Sequence, residues 1–184
     1  MKAESWAFAP FNNQLHDITY AIEGNPILGR DGRIYVLSRT SVANTAFLLV
    51  LNESGTALEP IDYVPMDGAS HKFTVRYDEV TGKYLSISNY TAGDPAIKQQ
   101  RLNLVLLSSE DLLHWEIEEF LLADRQVLDW YTAVNRNGFQ YVDWIIDGDD
   151  ILMAVREARE NAQNYHDANY LTFYRIDNYA QYID

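Results

Sequence analysis

The sequence predicts an all-β fold: about three four-stranded antiparallel blades of a β-propeller, in effect a half-propeller. Three observations predict it. Short β-rich runs alternate with turn residues along the whole chain. No apolar run holds a helical period over the roughly 10 residues that a helix wants. The strands also group into units repeating at roughly 40–50 residues, the mark of propeller blades. A β-sandwich of similar strand count is the alternative, and the repeat weighs against it.

In chain order, residues 34–38 follow the turn Arg30-Asp31-Gly32-Arg33. Residues 46–51 form a continuous apolar run ending at Asn52-Glu53-Ser54-Gly55, and residues 61–64 follow. Residues 73–77 lead into a hairpin loop over 78–83, and 84–87 return. Residues 102–107 precede Ser108-Ser109-Glu110-Asp111, with 115–122 after it. Residues 141–146 meet Asp147-Gly148-Asp149-Asp150, 151–155 return, and 170–176 are the last clear strand. Continuous apolar runs predict strands buried on both faces. Helix, or a helical turn inside a loop, is predicted over 156–164, rich in Ala, Glu and Arg, and a second, weakly periodic helical stretch over 124–135.

These strands make one domain over residues 1–184, with units at about 25–66, 71–123 and 139–179. The third unit lacks a fourth strand, while Ser5-Trp6-Ala7-Phe8 is a strand-like piece ahead of the first. About three blades are too few to close a ring of the usual roughly four to eight. Two copies would supply about six. The expectation is a homodimer completing one ring, in which Ser5-Trp6-Ala7-Phe8 completes the third unit of the other copy.

Composition excludes several functions. Fourteen Lys and Arg against 27 Asp and Glu give a net charge of −13, which repels nucleic-acid phosphates and anionic membranes. No apolar run is long enough to span a bilayer. The absence of cysteine removes disulfides, thiolate metal sites and a cysteine nucleophile. There is no phosphate loop and no His-Glu-x-x-His zinc motif, so neither a cofactor nor a metal is expected. The N-terminal residues lack an apolar signal core, which reads as cytoplasmic as written, or as periplasmic or secreted if a leader was removed.

Antiparallel topology sorts the polar residues between two ends of each blade. Glu23, Asn25, His71, Lys72, Gln140 and Tyr141 at strand starts share an end with Arg39, Asn89 and Arg156 at strand ends. The following loops add Arg101, His166, Asp167 and Asn169, and Asp143 lies further along an inner strand. Guanidinium groups, amides, carboxylates and aromatic rings together suit a carbohydrate ligand, an acidic one in particular. Singly, a strand-end arginine is more often a surface ion pair, and Asn89 or Asn169 more often caps a turn. The segment Ser109-Glu110-Asp111-Leu112-Leu113-His114-Trp115 falls at the opposite end. Its Ser and Asp bond the turn while Trp115 packs beneath, so it reads as structural.

Ser109-x-Asp111-Leu112-x-x-Trp115 resembles the degenerate Asp-box (BNR-type) hairpin of sialidase-like glycosidase propellers, one residue shorter and without its Gly. Glu23-Gly24-Asn25-Pro26, Gly68-x-x-His71-Lys72-Phe73-Thr74-x-Arg76-Tyr77-Asp78, Gly138-Phe139-Gln140-Tyr141-Val142-Asp143-Trp144 and His166-Asp167-Ala168-Asn169-Tyr170-x-Thr172-Phe173 resemble the later half of bacterial exo-sialidase-like six-bladed propellers. The resemblance covers nearly the whole chain. It implies a carbohydrate-active protein serving glycoside hydrolysis. In that group an arginine triad binds a carboxylate, a Tyr paired with Glu is the nucleophile, and an Asp is the acid/base. Arg39 and Arg156 would then take carboxylate-binding parts, and Tyr141 would act if a carboxylate lies beside it. The early blades have no counterpart here.

The resulting expectation places Glu23, Asp143, His166 and Tyr141 as catalytic groups. Arg39, His71, Lys72, Asn89, Gln140, Arg156, Asp167 and Asn169 would bind the sugar. Two other functions fit the same face. One is a lyase using His71 or His166 and a Tyr against a uronate, and the other a sugar-binding or assembly module without turnover.

Overall fold

The structure is a computed structural model that describes residues 21–91, 100–126 and 128–183. Three antiparallel sheets follow one another along the chain. The first contains β1 (Ala21–Leu28), β2 (Ile34–Thr40), β3 (Thr45–Leu51) and β4 (Leu58–Pro65), in that spatial order. The second contains β5 (Thr74–Asp78), β6 (Lys83–Asn89), β7 (Asn103–Ser109) and β8 (Glu116–Ala123), again as a meander. The third has β9 (Gly138–Asp147), β10 (Asp150–Ala158) and β11 (Tyr170–Ile176), with β10 in the middle. The first strands β1, β5 and β9 touch in sequence, so each sheet starts from a common inner side, as propeller blades do. Ser5-Trp6-Ala7-Phe8 lies outside the described residues.

Sheet two explains why the apolar runs were continuous. On one side Val75, Tyr84, Val105 and Leu107 pack with Leu37, Ala46, Leu48 and Val64 of sheet one. On the other, Leu85, Ile87, Leu104 and Leu106 pack with Val142, Trp144, Ile151, Met153 and Val155 of sheet three. A strand buried on both faces has no polar phase to show. Each such aliphatic side chain contributes roughly 1.5–3 kcal/mol on burial. Buried asparagines tie neighbouring sheets together. The Asn25 amide donates to the Leu37 carbonyl and accepts from the Val75 N–H, both at 3.3 Å. Asn89 donates to the Phe139 carbonyl at 2.9 Å.

The helix predicted over 156–164 is not formed. Arg156 and Glu157 continue β10, paired with Leu171 and Tyr170 of β11, and residues 159–169 are bends and loop. The ladder and the burial of Val155 outweigh a helix propensity worth tenths of a kcal/mol per residue. Of the second stretch only α1 (Trp130–Arg136) is helical, started by Asp129, whose carboxylate accepts from the Thr132 N–H at 3.0 Å. Gly68 earns its place sterically: its φ is +73°, and a Cβ there would sit 2.0 Å from the Asn89 carbonyl oxygen.

Two inner strands carry bulges at matching places. In β1, Ile22 pairs with Arg39 and Asn25 with Leu37, so Glu23 and Gly24 together oppose Ser38. In β9, Gln140 pairs with Arg156 and Asp143 with Ala154, so Tyr141 and Val142 together oppose Val155. Glu23 and Tyr141 take left-handed backbone angles, φ 52° and 50°. For non-glycine residues that costs on the order of 1–2 kcal/mol, and it re-aims the side chain relative to an unbulged strand.

Candidate functional site

The bulges and the strand-end arginines lie at the end of the blades away from the Gly32 and Gly148 turns. Arg39 Nη1 donates to Glu23 Oε2 at 2.9 Å, and its Nε donates to the Ser70 carbonyl at 2.7 Å. The Arg156 guanidinium stands 5.0 Å from the centre of the Tyr141 ring and donates to the His166 carbonyl at 3.2 Å. The His166 ring meets Tyr141 edge-on at 6.1 Å. Asp167 accepts from Asn164 and faces the His166 ring, and those two hydrogen bonds hold its carboxyl below the usual range.

Arg101 sits between these groups. It is 5 % exposed, and its Nη1 donates to Gln140 Oε1 at 2.9 Å, with Gln140 fully buried. Its guanidinium lies 5.3 Å from the Tyr165 ring. Burial pushes the group below the ordinary arginine value. The Tyr165 and Tyr141 hydroxyls and the Glu23 carboxylate oppose that shift, and the Arg39 cation adds to it. Arg101 therefore lies within electrostatic range of both the Glu23–Arg39 pair and Tyr141. Among the described residues its side chain hydrogen-bonds only a neutral amide, and Arg101 Nε and Gln140 Nε2 are buried without hydrogen-bond partners. Buried charges are normally paired and buried donors normally bonded.

The structure thus brings Gln140 against Arg101 with Glu23, Arg39 and Tyr141 in electrostatic range, sets Arg156 and His166, with Asp167 beside it, at Tyr141, and leaves other predicted residues apart. His71 is buried, with its N–H bonded to the Gly68 carbonyl. Lys72 Nζ turns back to the Phe73 carbonyl at 2.9 Å. Asn89 is the inter-sheet tie described above, and Asn169 brackets the backbone N–H and carbonyl of Arg159. Asp143 accepts from Arg76 Nη2 at 2.9 Å, and its side chain is largely exposed. No carboxylate hydrogen-bonds the Tyr141 hydroxyl among the described residues. Sequence reasoning placed Arg101 on this face without giving it a role, and it missed Tyr165. The neighbour of His166 in sequence was the available signal for the latter. Among the described residues no three His, Asp or Glu side chains group as a metal site.

At the opposite end the Ser109–Trp115 turn satisfies itself. Asp111 Oδ1 accepts from the Leu113 and His114 N–H groups, both at 2.8 Å, and Oδ2 meets His114 Nδ1 at 2.7 Å. Ser109 Oγ accepts from the Leu112 N–H at 2.9 Å, and Trp115 Nε1 donates to the Leu112 carbonyl at 3.1 Å. Burial alone would raise the Asp111 carboxyl, but the His114 ring and the backbone N–H groups outweigh it and bring it down to about 2. Leu112 takes φ 68° where a glycine would be comfortable, and its side chain is buried in the core between sheets one and two.

No protein-family model and no curated protein matches the chain. Solved structures do. An α-L-arabinanase of Penicillium chrysogenum aligns with a TM-score of 0.59 at 11% identity, over 86% of this chain and 46% of its own. A leech intramolecular trans-sialidase aligns at 0.57 and 13% identity, over 94% and 25%. An α-L-arabinofuranosidase of Fusarium graminearum aligns at 0.53 and 12% identity, over 92% and 50%. At such identities the likeness shows the fold, that of propeller glycosidases. The chain spans a quarter to a half of the length of these three structures.

Proposed function

We propose that the chain is a carbohydrate-active protein whose arginine end takes an acidic sugar, and that the reaction served is glycoside hydrolysis. The observation that carries the reading is Arg101, a buried cation with a neutral partner and an unpartnered Nε, next to the equally unpartnered Gln140 Nε2. Buried N–H donors without acceptors and a positive charge call for acceptor oxygens with negative charge. In a chain of net charge −13, three guanidinium groups at one end form a local exception that draws an anion to that end. Tyr141, beside Arg156, offers a ring for a sugar face. Hydrolysis normally draws on two carboxylates. Glu23 at the cluster and Asp143, two residues beyond Tyr141 on β9, are the proposed pair, with His166 as a further proton carrier.

A second reading, sugar binding without turnover, is favoured by how the candidate catalytic groups are held. Glu23 is held by Arg39 and Asp143 by Arg76, and among the described residues no carboxylate hydrogen-bonds the Tyr141 hydroxyl. An array of sialylated, uronate-bearing and neutral glycans, followed by product analysis, tests both. Retention of acidic glycans is expected, with release of a saturated sugar that Glu23→Gln abolishes. Retention without release at any pH makes the chain a binding module. An unsaturated, ultraviolet-absorbing product makes it a lyase. Failure to retain any acidic glycan ends the proposal.

A further inference from the structure

Sheets two and three close on each other through apolar side chains such as Leu104 and Leu106 against Met153 and Val155. Toward the arginine end that filling stops. The gap opens into a cleft of about 380 Å³ between the end of β8 and strands β10 and β11, within the roughly 300–1,000 Å³ of small-molecule pockets. Glu157 lines it, two residues beyond Val155 on β10 and paired by register with Phe139. This buried carboxylate has no part in the arginine cluster. Its Oε2 accepts from Thr172 Oγ1 at 2.8 Å and from the Tyr174 hydroxyl at 3.0 Å. Its Oε1 accepts no hydrogen bond among the described residues, and Arg159 Nε stands 3.7 Å from it. The Arg159 guanidinium likewise makes no hydrogen bond among the described residues. It is nonetheless held in place. Asn169 brackets the Arg159 backbone, and the guanidinium lies 4.3 Å from the centre of the Tyr170 ring.

We infer that this cleft is a second binding site, separate from the arginine end, and that it takes a neutral sugar unit. A carboxylate oxygen without a donor beside a guanidinium without an acceptor matches a hydroxyl, which donates to the one and accepts from the other. Leu122 and Phe139 line the same cleft and offer apolar surface to the C–H face of a sugar ring. Charge decides against a second acidic sugar. The carboxylates of Asp124, Glu157 and Glu160 stand there against the guanidinium groups of Arg125 and Arg159, so the cleft offers an anion no net attraction. The polar lining also distinguishes a ligand from a further stretch of polypeptide. An apolar strand laid over the cleft would bury the open Glu157 oxygen and the Arg159 N–H groups unanswered, which is costly. A hydroxyl answers both. Asn169 and Tyr170 fix Arg159 before any ligand arrives, which lowers the ordering cost of binding. The inference does not rest on what the arginine end binds.

Two-dimensional proton–nitrogen NMR of the 184-residue chain, titrated in turn with the methyl glycosides of glucose, galactose, mannose and xylose, tests it. At least one of these should shift the backbone amides of Gln126, Glu157, Arg159 and Glu160 in a saturable way. Arg159→Met should weaken that binding about tenfold or more, as for a lost hydrogen bond to a charged group. Leu122→Trp, which fills the cleft from its apolar side, should abolish it. Unchanged amide signals from sheet one establish that each variant folds. No saturable shift at these amides with any of the glycosides, or shifts that survive both substitutions, would overturn the inference. Glucuronate bound at the same amides as tightly as the neutral glycosides would overturn the assignment to a neutral sugar.

Discussion

The two ends of the blades are both rich in polar side chains, yet they spend them differently. At the Ser109–Trp115 end every named polar group is answered within one hairpin: Asp111 by two N–H groups and the His114 ring, Ser109 by Leu112, and Trp115 by the Leu112 carbonyl. At the arginine end the bonding stops short: among the described residues Arg101 Nε and Gln140 Nε2 are buried and unanswered. The first arrangement is what a chain does to hold a turn. The second leaves buried donors without acceptors, and it is on those donors that the proposed sugar site rests.

The contrast can be broken most sharply at Arg101. Arg101→Met removes the buried cation and replaces it with an apolar chain of similar length. Binding of an acidic sugar should fall about 10- to 100-fold, the worth of a charge-assisted hydrogen bond of roughly 1.5–3 kcal/mol. Folding stability should change by no more than about 1 kcal/mol, because the desolvation of an unpaired cation is removed as well. Calorimetric titration and thermal melting read the two quantities. A variant that unfolds while keeping its affinity would make Arg101 a structural residue.

Asp111→Ala is the reciprocal change. It should cost roughly 0.5–2 kcal/mol of stability, as for a lost capping or turn hydrogen bond, and leave sugar affinity untouched. Denaturant titration gives the first and the same calorimetry the second. Lost binding with unchanged stability would exchange the roles of the two ends. A smaller effect sharpens the assignment. The Asp111 carboxyl titrates at about 2 in the fold against an ordinary 3.8. Its stabilisation is complete above pH ~4 and is lost as pH falls through about 2. The stability difference between wild type and Asp111→Ala should therefore be constant from neutrality to pH ~4 and shrink below it. A difference independent of pH down to 2 would mean that the carboxylate charge plays no part in the turn.

Much of the fold was legible because its strands are short, punctuated by turn residues and, in sheet two, buried on both faces. Runs such as Leu104 to Leu107 had nowhere to be but a core. The 156–164 stretch misled because local Ala, Glu and Arg content favours helix, while pairing of Arg156 and Glu157 with β11 depends on residues more than ten positions away. At the site, strand order predicted which end Arg39, Gln140 and Arg156 occupy. It did not predict the bulges, since neither Glu23 nor Tyr141 is a residue that announces a left-handed turn. Nor did it predict the burial of Arg101, which follows two glutamines in sequence and reads there as surface. Asn89 reads from sequence as a binding residue because polar groups at strand ends look alike whether they face a ligand or, as here, a neighbouring sheet's carbonyl.

The most direct test of the arginine end is a matched pair of sugars, glucuronate and glucose, titrated into the wild-type protein at low and at raised salt. The expected result is tighter binding of the uronate by at least about tenfold, with the preference shrinking as salt screens the charges. Equal affinity for the acidic and the neutral sugar, or a uronate preference that Arg101→Met leaves intact, would contradict it.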